Sequence, residues 1–212
     1  MNRNKIYTIV EGQGEANRPL NGGKSAINTL IGKMLVELNC WSLYPAISYR
    51  MSSYGDFFKD DKLEGVIRYH KKFEDCAALL VLLDMDDDCP KEKANELVCR
   101  INKMEALPFS VVVVCAKREY EAWFLASLET IHDGQVYPDD PENRRDAKGW
   151  LRRNFKYKQT VQQAAYTQKL DITLTRNRSR SFRRLYHAFE EIITAAQTGH
   201  PIITPSEQNG LC

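Results

Sequence analysis

Asp84, Asp86, Asp87 and Asp88 put four carboxylates within five residues, directly behind the unbroken apolar run Leu79-Leu80-Val81-Leu82-Leu83. Carboxylates so close repel one another unless a cation or strong donors lie among them. An all-oxygen set suits a hard divalent ion such as Mg²⁺ or Mn²⁺. Two other apolar runs finish in the same way: Ile6–Val10 leads into Glu11, with Glu15 four residues on, and Val111–Cys115 is followed by Glu119 and Glu121. One or two ions held by such acids can activate a water and stabilise the leaving oxygen of a phosphodiester. On this reading Glu11 is a metal ligand or general base, Asp84 and Asp86 are metal ligands, and Glu15 with Glu119 or Glu121 holds a second ion. Asp88 joins the candidate ligands, and Lys117 and Arg118 are placed to neutralise a scissile phosphate. The plainer alternative for each acid is a surface side chain that caps a helix.

Other chemistries fit the spacing less well. Gly12-Gln13-Gly14 follows a strand-like run, but Asn17 stands where a dinucleotide fingerprint needs its third glycine, and Glu11 and Glu15 would face the pyrophosphate. Gly23-Lys24-Ser25 resembles the end of a phosphate-binding loop whose earlier glycine is replaced by Arg18. As a calcium loop the acid run lacks the sharp-turn glycine, with Cys89 in its place, and has Asn95 where a bidentate glutamate belongs. A phosphatase with a nucleophilic Asp usually carries its DxD pair on the first strand, whereas here the pair follows the third. In a phosphoacceptor domain the lysine follows the last strand, and Lys117 follows the fourth. His70, His132, His187 and His200 show no metal-ligand spacing.

Taken together, Val10-Glu11-Gly12-Gln13-Gly14-Glu15 resembles the glutamate motif of the TOPRIM domain shared by topoisomerases, primases and overcoming-lysogenization-defect (OLD) type nucleases, in the variant with a second Glu. Asp84-Met85-Asp86 resembles that family's DxD motif. Lys117-Arg118-Glu119-Tyr120-Glu121-Ala122-Trp123-Phe124-Leu125-Ala126 and Arg178-Ser179-Arg180-Ser181-Phe182 look like signatures of a bacterial TOPRIM-like family of unknown function, so that the resemblance runs from about Lys5 to His187. It implies a Mg²⁺- or Mn²⁺-dependent nuclease with one or two ions, an association with phage defence, and an ATPase partner. A TOPRIM-like module that binds nucleic acid or a partner without cleaving anything is the competing reading.

These residues need elements to position them. Lys5–Val10, Trp41–Tyr49, Ala77–Leu83 and Phe109–Cys115 read as four strands, the third apolar throughout and therefore covered on both faces. Lys24–Asn39, Asp60–Glu74, Lys91–Glu105 and Arg118–Leu128 read as helices, with Pro90 suited to a first helical turn. The alternation predicts an α/β fold: a TOPRIM/Rossmann-like, mainly parallel four-stranded sheet flanked by helices, with the acids at its carboxyl edge. Residues 1–132 are expected to form that domain. Residues 133–212 should be a basic helical extension packed on it, helical over Asp146–Tyr157, Val161–Leu170 and Ser181–Ala196, with Gly199–Cys212 poorly ordered.

The chain has 212 residues, 43% of them hydrophobic, and a formal charge of only +2. From Arg144 to Arg184, however, thirteen Lys/Arg meet only Asp146 and Asp171, a local +11 without acidic counterpart nearby in sequence. Such an excess suits a polyanion. Arg176, Arg178, Arg180 and Arg183 are the candidate phosphate contacts for DNA or RNA, with Tyr157, Tyr166, Phe182 and Tyr186 interleaved as candidate stacking rings. No stretch nears the roughly 18–20 apolar residues needed to span a bilayer, and the polar start has no signal-peptide core, which predicts a cytoplasmic protein without membrane contact. The six cysteines form no CxxC pair and read as reduced thiols; self-association is left open.

Overall fold

A computed structural model describes residues 3–11 and 25–205. Five strands, β1 (Lys5–Val10), β2 (Tyr44–Arg50), β3 (Cys76–Asp84), β4 (Ser110–Ala116) and β5 (Ile203–Thr204), form one sheet in the order β2-β1-β3-β4-β5. Every neighbouring pair is parallel. The protein is therefore an α/β fold with one parallel sheet flanked by helices. The strand count corrects the sequence reading of four. Ile203 and Thr204 pair with Val111 and Val112, so part of the segment expected to be poorly ordered is the sheet's fifth strand. Two residues are too short to show an alternation, and only the approach of β4 makes them a strand.

The apolar third strand is central as its composition requires, with Ala78 to Leu83 at most 3% exposed. Alternate side chains serve two layers. Ile6, Val10, Leu80, Leu82, Val112 and Val114 pack against α1 (Ala26–Glu37) and the helices of the C-terminal half. Ile9, Leu79, Val81, Val111 and Val113 pack against α3 (Lys62–His70) and α4 (Pro90–Asn102), beyond the short α2 (Gly55–Phe58). Helix α1 buries Ile27, Leu30, Ile31, Met34 and Leu35 along one stripe, and the Ser25 side chain caps its start by accepting from the Asn28 amide. Pro45 is tolerated within β2 because that strand lies at the sheet edge, next to a register shift opposite Ile6–Thr8.

After α5 (Glu121–Ala126) and α6 (Leu128–Ile131), four helices complete the first layer: α7 (Ala147–Phe155), α8 (Gln159–Lys169), α9 (Ile172–Arg178) and α10 (Arg180–Thr198). They share a core with the sheet through Leu151, Phe182, Leu185, Phe189 and Ile192. Helix α9 has too few apolar positions to show a period; Asp171 starts it by accepting from the Leu174 amide. Cys40, Cys76, Cys89 and Cys115 are free, but Cys99, on the half-buried side of α4, is disulfide-bonded, which sequence spacing could not reveal. Among the described residues no helix is long and apolar enough to cross a membrane.

Candidate functional site

In a parallel sheet all strands end on one side, so Glu11, Asp84 and the segment after β4 open on the same carboxyl edge. The strand order turns back between β1 and β3, and Glu11 and Asp84 end those two strands. Such a switch point is where open α/β sheets leave a crevice for ligands. Glu15 lies outside the described residues.

The two acids are held by different layers. Glu11 accepts the Tyr54 amide at 2.9 Å through Oε1, on the side of α2. Asp84 accepts the Tyr120 amide at 2.9 Å through Oδ1, on the side of α5. The turn beyond β3 is pinned to the chain leaving β4: the Met85 amide donates to the Ala116 carbonyl and the Asp86 amide to the Arg118 carbonyl. Asp86 takes the left-handed conformation (φ 45°) that a short polar side chain tolerates. Its carboxylate is exposed, as are those of Asp87 and Asp88.

The acid run finds its donors within the chain. Arg118 bridges the Asp86 carbonyl and the Asp87 carboxylate, and Arg145 reaches Asp87 at 2.8 Å. Asp88 accepts the Tyr54 hydroxyl, and burial followed by that hydrogen bond pushes the Tyr54 phenol up. Glu119 lies against the start of α7, with Lys148 at 3.8 Å; burial raises its carboxyl above the usual range, against the lowering effect of Lys148 and the Ala147 and Lys148 amides. Lys117 donates to Asn143 Oδ1 at 3.1 Å. Glu121 is instead fully buried inside the helical layer, where it accepts the Tyr157 hydroxyl at 3.0 Å and the Gln163 amide at 3.4 Å.

Among the described residues no group of three or more His, Cys, Asp and Glu side chains is arranged to hold a metal ion. Mg²⁺ asks for less, one or two carboxylates with waters and substrate phosphate completing the octahedron. Glu11 and Asp84, on neighbouring strands about 4.8 Å apart, have the oxygen donor chemistry for that smaller role, although their amide partners hold them toward different layers of the sheet.

The basic segment is largely spent on structure. Arg178 pairs with Glu129 at 2.8 Å, Arg183 donates to the Arg176 and Asn177 carbonyls at 3.3 Å, and Arg176 stacks on Tyr186 with its guanidinium 4.4 Å from the ring centre. Arg180 is exposed, and its backbone amide joins Ser179 and Ser181 in donating to the buried Glu142. The +11 segment thus has acidic partners in space that it lacks in sequence. Tyr157, Tyr166, Phe182 and Tyr186 are all buried, which removes them as stacking platforms. Sequence reasoning missed the cations that do reach the acid edge, Arg145 and Lys148; they lay inside the basic count but carried no signal of position. Arg118 Nε and Arg144 Nε, beside them, are buried without a hydrogen-bond partner.

A family model described as a domain of unknown function, DUF4276, matches residues 10–190. That span is well over half of the chain, and the chain belongs to that family. No curated protein and no solved structure matches it.

Proposed function

We propose that this DUF4276 chain hydrolyses phosphodiester bonds of nucleic acid, DNA or RNA, at the carboxyl edge of its sheet, in the manner of a TOPRIM-like nuclease with Mg²⁺ or Mn²⁺. The observation that carries the reading is that Glu11 and Asp84 end the two strands flanking the point where the strand order turns back. Glu11 and Asp84 would hold the ion, with Asp86 as a third carboxylate in the same turn. When bound, the ion supplies Lewis acidity toward the scissile phosphate. Lys117, Arg118, Arg145 and Lys148 orient the phosphate. The resemblance noted above supports a cytoplasmic bacterial defence effector working beside an ATPase.

A second reading has its own observation. Glu11 and Asp84 each already accept a backbone amide, and Asp87 is matched by Arg118 and Arg145, so the acid edge is stable without any ion. A non-catalytic binding module would look the same. The test is cleavage of labelled single- and double-stranded DNA and RNA with Mg²⁺ or Mn²⁺, by the native chain and by Asp84→Asn, which keeps an oxygen for the Tyr120 amide. Hydrolysis that falls about 100-fold or more in the variant, with an unchanged metal-free melt, supports the nuclease. Nucleic-acid binding without cleavage, and a melting temperature indifferent to metal, supports the binding module.

A further inference from the structure

Eight large hydrophobic side chains are exposed among the described residues, and six of them gather around one edge of the sheet. Strand β2 is that edge, with β1 on one side and, among the described residues, no strand on the other. Ile47, at its midpoint, is 69% exposed, and Tyr44 and Tyr49 flank it at 53% and 41%. On the α1 side Val36 and Trp41, the latter 66% exposed, extend the patch into a groove of about 690 Å³ between α1 and the end of α8. On the α3 side Tyr69 continues it through the ring contacts of His70 with Tyr49 and with Tyr69. A contiguous apolar edge of this kind marks a protein contact.

We propose that this face joins two copies of the chain, edge to edge across a two-fold axis near Ile47. Area supports the occupant. A buried aromatic ring contributes about 150–250 Å². Four rings at their observed exposures, with Ile47 and Val36, therefore come to several hundred Å², close to the roughly 800 Å² per partner of a stable interface. Charge supports it as well. Antiparallel alignment about residue 47 sets position 50 against position 44, which brings the exposed Arg50 of one copy toward the Trp41, Tyr44 and Glu37 end of the other. The patch thus carries its own counter-charge, as an isologous contact requires. Pro45 offers no amide and the register shift breaks the ladder, so side chains, rather than backbone pairing, hold the two edges together. Arg50 also donates to the Glu11 carbonyl at 3.4 Å, so the second copy would wall one side of the acid edge.

The proposal is independent of any chemistry at the acids, and solution mass tests it. Light scattering on the eluting native chain, up to about 100 μM, should give twice 24.4 kDa, since interfaces of this size reach micromolar affinity or better. Ile47→Asp should give 24.4 kDa, and at protein concentrations low enough for the native chain to be monomeric the two should melt alike, because the side chain lies outside the core. Glu37→Arg and Arg50→Glu should each weaken the dimer, and the double variant should recover it. A native chain that stays at 24.4 kDa throughout, or a dimer that survives Ile47→Asp, overturns the proposal.

Discussion

Glu119 and Asp84 both sit at the acid edge, yet burial governs the first and a backbone hydrogen bond the second. Burial raises the Glu119 carboxyl, so the folded chain keeps a proton at a pH where the unfolded chain has lost it. Its contribution to stability is complete below the unfolded value, near 4.3, and is lost as pH rises through the folded value. Glu119→Gln should therefore be at least as stable as the native chain at neutral pH. Urea midpoints from pH 4 to 7 should separate in the variant's favour as pH rises; midpoints that separate against it would mean that Lys148 and the α7 amides outweigh burial. Asp84 is different, because the Tyr120 amide needs its oxygen. Relief of repulsion alone predicts that Asp84→Ala folds as well as the native chain or better. The lost acceptor predicts a cost of about 0.5–1.5 kcal/mol, which Asp84→Asn should largely avoid. Metal-free denaturation of the two variants side by side separates these outcomes.

At the level of elements, α10 depends on one distant acid. Glu142 is 4% exposed and accepts the Ser179 hydroxyl at 2.7 Å, the Ser181 amide at 2.8 Å and the Arg180 amide at 3.1 Å, all at the start of the 19-residue helix. Glu142→Ala leaves those donors buried without their acceptor and should cost about 2–3 kcal/mol, read as a lower denaturation midpoint at unchanged slope. The same contacts give Arg178-Ser179-Arg180-Ser181-Phe182 a structural meaning: Ser179 caps the helix by accepting the Phe182 amide, Ser181 accepts the Trp123 indole N–H, and Phe182 packs edge-on to that indole. The strong periods were legible in the sequence. The β1 bounds, the stripe of α1, the Pro90 start of α4 and the position of β3 follow from apolar spacing and caps. What spacing cannot carry is approach from far along the chain. Tyr54 and Tyr120, whose amides hold Glu11 and Asp84, have no sequence signature, and the buried setting of Glu121 follows from α7 and α8 closing over it.

For the whole molecule, the question is which cations meet a polyanion. If nucleic acid lies along the acid edge, replacing Lys117, Arg145 and Lys148 by Gln should lower the log–log salt slope of binding by about 2–3, one contact at a time. Replacing Arg178, Arg180 and Arg183 should lower it by about 1 at most, since Arg178 and Arg183 are engaged within the fold, and it should also lower the melting temperature through loss of the Arg178–Glu129 pair. Equal slopes for the two triple variants would return the binding surface to the tail.

The pairing of β5 with β4 also sets a timetable. Ser110 Oγ accepts the Ile202 amide across 92 residues, and Arg184, on α10, reaches Thr204 Oγ1 at 2.6 Å. A ribosome releases the amino end first. At roughly 5–20 residues per second, the free side of β4 emerges about 5–20 s before the strand that covers it. During that interval Val111 and Val112 present a bare, apolar ladder to whatever else is nearby. The strand that finishes the sheet is also the last described segment to be made, so a nascent chain stalled within α10 would carry an unprotected flank on β4.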